Sequence, residues 1–153
     1  MTTTAPAADA RTLALAHYAA RGVLERILDR HGITFQQQVA LRTAATAATA
    51  ATADSPQTPD ALAARIEGYL KADPADVRAT LDELLARQLL GTDGAHLHPT
   101  DAGRELLAAV AAEVAPVSAR IWSGIPAEDL AAAGRVLAQV NERADAELAA
   151  LTG

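Results

Sequence analysis

Two histidines one residue apart, His96 and His98, stand in the stretch GTDGAHLHPT at residues 91–100. On an extended strand that spacing turns both imidazoles to one side, half of a metal site. Asp93 or a second copy of the chain would have to supply the rest, and no third ligand is obvious. The plainer reading makes them solvated strand residues, with no metal site. His17 and Tyr18, with Arg21 one helical turn beyond His17, form a second polar group. Arg42 is able to pair with an anionic ligand or with an acidic neighbour, and Trp122 to wall a pocket or pack in an interface. The chain has no cysteine, which removes thiol nucleophiles, zinc–thiolate centres and disulfides. It also lacks a serine–histidine pairing in a recognisable context, a glycine-rich phosphate loop and an HExxH pair. An enzyme built on this chain would rest on acid–base work by His17, Tyr18 or a carboxylate. Nothing in the spacing demands one.

These residues have to be held by 153 residues that are 50% hydrophobic yet include only one Phe, one Trp and two Tyr. Much of the apolar content is alanine, so the core depends on close helix packing, and dimerisation would add buried area. The N-terminal MTTTAPAADA has neither the positive flank nor the apolar core of a secretory signal, and no apolar run is long enough for a bilayer. A soluble cytoplasmic protein without a membrane partner is expected. The formal net charge of −6 argues against non-specific nucleic-acid binding, although the distribution of charge matters more than its sum.

Hydrophobic spacing and cap chemistry place the elements. Leu13, His17, Ala20, Leu24, Ile27 and Leu28 recur at helical steps, and Gly32 is placed to stop that helix. Thr34 with Gln37 is a capping box opening a second helix, whose end frays in the Thr–Ala repeat before DSPQ. Thr58-Pro59-Asp60 and Asp73-Pro74 start two short helices. Leu62, Ile66 and Leu70 line the first, and Val77, Leu81, Leu84 and Leu85 the second. Their short connection makes a helix-turn-helix. LLGTDGAHLHPT reads as strand, Asp-Gly turn, strand, with Leu89, Leu90 and Leu97 inward and His96 and His98 outward. Thr100 caps a helix through Leu106, Leu107, Val110 and Val114, which Pro116 should kink or end. After SGIP, a last helix carries Leu130, Leu137, Ala144 and Leu151 at seven-residue spacing, with Val140 and Leu148, a seam suited to a dimer.

In this order the segments ITFQQQVALR, DPADVRATLDELLARQLL, LHPTDAGRELL and IPAEDLAAAGRVLAQV resemble the MarR family of bacterial transcriptional regulators, from about Leu13 to Leu148. The resemblance implies a mainly α fold, a winged helix-turn-helix core at 58–100 flanked by dimerisation helices at 9–57 and 101–153. Residues 9–153 then form one domain after a disordered lead at 1–8. It further implies a homodimer reading a pseudo-palindromic double-stranded DNA operator, modulated by a small phenolic or lipophilic ligand, with no cofactor. By the same resemblance Ala75, Asp76, Arg78 and Ala79 begin the recognition helix, with Arg78 suited to a guanine. Lys71 and Arg87 are then phosphate contacts, and His96 and His98 lie in the wing. His17, with Tyr18, Arg21, Arg42 and Trp122, would face the ligand. Relatives carry basic wing tips, where this chain has Asp93 at the turn. Across 58–104 five basic side chains face eight acidic ones, a net of −3. Two readings therefore stand: an operator-binding regulator, or a winged-helix protein that has lost DNA and works as a small-molecule binder or enzyme.

Overall fold

The computed structural model describes residues 7–49 and 58–153. The lead through Pro6, the end of the Thr–Ala repeat and the DSPQ loop lie outside them. The starts of the first five helices are set by side-chain caps. Asp9 accepts a hydrogen bond from Thr12 N at 2.7 Å, which lowers its pKa, and opens α1 (Ala10–Arg30). Gly32, at φ +65°, turns the chain after α1, with Ile33 N donating to Leu28 O. The capping box is reciprocal: Thr34 Oγ1 accepts from Gln37 N, and Gln37 Oε1 accepts from Thr34 N, both at 3.1 Å. It opens α2 (Phe35–Thr49). Thr58 and Asp73 cap α3 (Pro59–Leu70) and α4 (Pro74–Ala86), each with proline at the first turn.

α3 ends on Lys71 in the left-handed region at φ +51°, and Gln88 leaves α4 in the same way at φ +57°. The hairpin follows as β1 (Leu90–Asp93) and β2 (His96–Pro99), antiparallel, with Asp93 opposite His96 and Leu90 opposite Pro99. That register corrects the expected Asp-Gly turn. Asp93 is the last paired residue and the loop is Gly94-Ala95, with Gly94 at φ +58°. A two-residue turn with glycine at its first central position matches the twist of paired strands, and only there is a positive φ needed.

α5 (Asp101–Trp122) begins with Gly103 N donating to Thr100 Oγ1 at 3.1 Å and runs on through Pro116. Proline there removes one intrahelical donor but does not end the helix, as half of the expectation had it. Ser123 to Pro126 then breaks the chain, with Gly124 at φ +78°, before α6 (Ala127–Thr152). The fold divides into one unit ending at Ala115 and a second spanning Pro116–Gly153.

In the first unit α2 touches α1, α3, α4 and β2. Its Ala40, Leu41 and Ala44 are fully enclosed, with Leu28, Ile66, Val77, Leu84 and Leu97 around them. Small alanines let backbones approach closely, which is how a core without large aromatics closes. Phe35 only borders this core, and Tyr18, Tyr69 and Trp122 are exposed. α2, grouped by chain position with the flanking helices, is thus the centre of the first unit. In the second unit α6 buries no residue, and its Leu137, Val140, Leu148 and Leu151 are exposed. Among the described residues no single helix is long and apolar enough to cross a membrane.

One polar tether joins the end of α1 to α5. Glu113 accepts from Arg30 Nε at 3.1 Å and lies 2.8 Å from His31 Nε2. The hydrogen bond from Arg30, aided by His31, holds the Glu113 carboxyl below its ordinary 4.5 despite some desolvation. A carboxylate with a depressed folded pKa contributes stability above its unfolded value and loses it as pH falls through the folded one. Glu113→Gln is therefore expected to be less stable than the parent at pH 7, with the gap closing below about pH 4.5. Urea midpoints between pH 3 and 7 check this; a gap of constant size across that range would refute it.

Candidate nucleic-acid interface and ligand pocket

α4 has two faces. Val77, Thr80, Leu81 and Leu84 are buried, while Pro74, Ala75, Asp76, Arg78, Ala79, Asp82, Glu83 and Ala86 are exposed. Arg78 makes no ion pair or side-chain hydrogen bond with another described residue. Asp73 spends an oxygen on its cap, accepting from Ala75 N at 2.8 Å. Lys71 is exposed at the α3–α4 connection. Arg87 is exposed too, but its Nη1 donates to Gln37 Oε1 at 3.2 Å, so part of its guanidinium is held by α2.

On the hairpin, Leu89, Leu90 and Leu97 face inward as the alternation required, and His96 is exposed. His98 is half-buried, its ring lying about a carbon contact from where a side chain on Gly91 would begin (3.5 Å to Nε2). The bare Gly91 opposite it in the register leaves the gap this ring covers. His96 and His98 therefore do not present two equally free imidazoles to solvent. Among the described residues no group of three or more His, Cys, Asp or Glu is placed to hold a metal ion. The base of the hairpin is fixed to α5 by Arg104, which donates to Pro99 O and pairs with Asp101, both at 2.6 Å.

A cleft of about 380 Å³ lies between α2 and α3. Phe35, Val39, Arg42, Thr43 and Thr46 line it from α2, and Arg65, Tyr69 and Leu70 from α3. Arg42 stands where a ligand contact was expected. Among the described residues neither Arg42 nor Arg65 pairs with a carboxylate, and none of those lining the cleft is acidic. Two cations beside apolar walls suit an organic anion with a flat apolar body.

The other expected ligand contacts are elsewhere. His17 and Tyr18 touch each other edge-on at 5.9 Å on the exposed part of α1. The cause is that α1 meets the core only near its C-terminal end, where Ile27 and Leu28 are buried while Leu13 and Leu15 are exposed. Arg21 reaches the cleft indirectly: its guanidinium lies 4.6 Å from the centre of the Phe35 ring, while its Nε pairs with Glu25 at 2.8 Å. Trp122 is exposed and belongs to the second unit. Arg65 and Tyr69 went unread in the sequence. Their one-turn spacing beside the Leu62–Ile66–Leu70 stripe was the available signal.

No protein-family model matches the chain, and no curated protein matches it. Solved structures do. A MarR family protein of Mycobacterium tuberculosis, solved in complex with DNA, is 20% identical over 88% of this chain and 98% of that one, with a TM-score of 0.61. The same protein in complex with salicylic acid is 19% identical over 88% and 99%, with a TM-score of 0.62. Staphylococcus aureus MarR in complex with salicylate and kanamycin is 20% identical over 86% and 87%, with a TM-score of 0.66. With helix-turn-helix, hairpin and long helices in the same order over nearly the whole length, the chain has the winged-helix fold of the MarR transcriptional regulators.

Proposed function

We propose that the protein is a cytoplasmic, ligand-responsive transcriptional regulator that binds double-stranded DNA as a homodimer. The observation that carries this reading is Arg78, exposed and without a described ion-pair partner on the outer face of α4. In a winged helix that face enters the major groove while the hairpin tracks the flanking backbone. Arg78 contacts a base, and Lys71 and the uncommitted donors of Arg87 contact phosphate. The exposed apolar stripe of α6 meets its symmetry mate, since an uncovered row of leucines and valines loses water only against a partner. The α2–α3 cleft takes an aromatic organic anion on Arg42 and Arg65, in keeping with the salicylate found on two proteins of this fold.

A second reading rests on the acids around Arg78. Asp76 and Asp82 are exposed on the same helix, Asp73 stands at the cap, and Asp93 ends β1 beside the hairpin turn. A protein that kept the cleft and gave up DNA would look the same. Fluorescence anisotropy with duplex DNA from the gene's own neighbourhood separates the two. The regulator binds at low salt and weakens as salt rises, with a log–log slope of about −0.9 per phosphate neutralised. A flat titration at low salt would favour the ligand-binding protein.

A further inference from the structure

Gln37 does more than cap α2. The residue is only 7% exposed. Oε1 accepts from Thr34 N at 3.1 Å and from Arg87 Nη1 at 3.2 Å, and Nε2 donates to Glu83 Oε2 at 2.8 Å. Among the described residues it makes both side-chain hydrogen bonds that join α2 to α4. Glu83 and Arg87 are one turn apart at the end of α4, and Phe35, two residues before Gln37, walls the cleft.

We infer that Gln37 is a positioning residue that couples the wall of the α2–α3 cleft to the α4 helix, so that a shift of the first turn of α2 is passed to the end of α4. A buried amide that loses its partners leaves desolvated polar atoms behind, and hydrogen bonds at these lengths weaken steeply when stretched. Displacing Phe35 therefore either carries Glu83 and Arg87 along or breaks the bonds that hold them. The Arg21 guanidinium lies over the same ring, 4.6 Å from its centre, and adds a reason for Phe35 and its turn to move as one piece. The regulatory meaning of the coupling rests on the proposed DNA-binding role of α4. The coupling itself needs neither DNA nor ligand to be measured.

The test is a double-mutant cycle on the full-length protein with Phe35→Leu and Gln37→Leu, read by amide hydrogen exchange. Exchange at Glu83–Arg87 is referenced to Leu97 in the hairpin, so that a general loss of stability cancels. Phe35→Leu is expected to speed exchange at the end of α4 by about 3-fold or more, and to add nothing once Gln37 is Leu. Glu83→Ala, on the exposed side of α4, keeps the capping box intact and should uncouple in the same way if Gln37→Leu fails to fold. Additive effects in the cycle, or no effect of Phe35→Leu on α4, would overturn the coupling. Loss of the DNA-binding reading would leave that result unchanged, because the anisotropy titration fails on its own.

Discussion

Gly103→Ala is expected to destabilise the protein by about 2–4 kcal/mol, although alanine is the better helix former. In an open helix the same change gains about 1 kcal/mol. Here a Cβ on Gly103 would stand 2.2 Å from Leu89 O, 3.1 Å from Leu89 C and 3.2 Å from Leu41 Cδ1. The end of a leucine side chain yields; a backbone carbonyl does not. Leu89 O already accepts from Thr100 N at 3.1 Å, and Leu89 and Leu90 are both buried, so the chain entering β1 has nowhere to go. Relief requires pushing α5 off the base of the hairpin. Gly68→Ala is the contrast, because a Cβ there meets nothing within 4 Å and α3 is regular around it. That variant should be stabilised by about 0.5–1 kcal/mol. Guanidinium midpoints of both variants, with unchanged m-values, check the pair. If Gly103→Ala matched or exceeded the parent, the close approach of α5 to the hairpin would be wrong.

The starts of α2 to α5 were readable because a cap is a contact between residues two or three apart, and Thr34, Thr58, Asp73 and Thr100 each make theirs. Inward positions on α3, α4 and the hairpin followed from period alone. What stayed hidden depends on how elements meet. The stripe Leu13–His17–Leu24–Leu28 has one helical period, yet only its C-terminal end lies on this core. Periodicity identifies an apolar face without saying which surface covers it. The cleft was half visible: Arg42 lies on a helix whose neighbours were evident, while Arg65 and Tyr69 gain meaning only from the approach of α3 to α2. Gln37 was legible as a cap, but its bonds to Glu83 and Arg87 cross 46 and 50 residues of chain. The hairpin register turned on which two residues formed the loop, and Asp-Gly and Gly-Ala both allow a tight turn. Backbone pairing decided it, with Asp93 opposite His96.

The largest functional effect is expected from Arg78→Ala. The other exposed positions of α4 are Pro74, Ala75, Asp76, Ala79, Asp82, Glu83 and Ala86, so no second cation within the helix replaces Arg78. A bidentate arginine on guanine contributes about 1–3 kcal/mol of discrimination, a factor of about 5 to 150. In a two-fold dimer each operator half-site carries one copy, so the substitution acts twice on every complex. Affinity for a specific site should therefore fall by about 25-fold or more, while binding to unrelated duplex changes little. Salt dependence separates base from phosphate contact. If Arg78 reads a base, the slope of log affinity against log salt is nearly preserved in the variant. If it neutralises a phosphate instead, the slope becomes shallower by about 0.9 per subunit. Asp76→Asn should move the other way, strengthening binding to every sequence alike, since it removes a carboxylate from the face that meets phosphate oxygens. Specific binding that survives Arg78→Ala undiminished would take the recognition role away from α4, and with it the main support for operator binding. The opposite signs of these two neighbouring substitutions are the sharper result, because a merely destabilised helix would weaken binding in both.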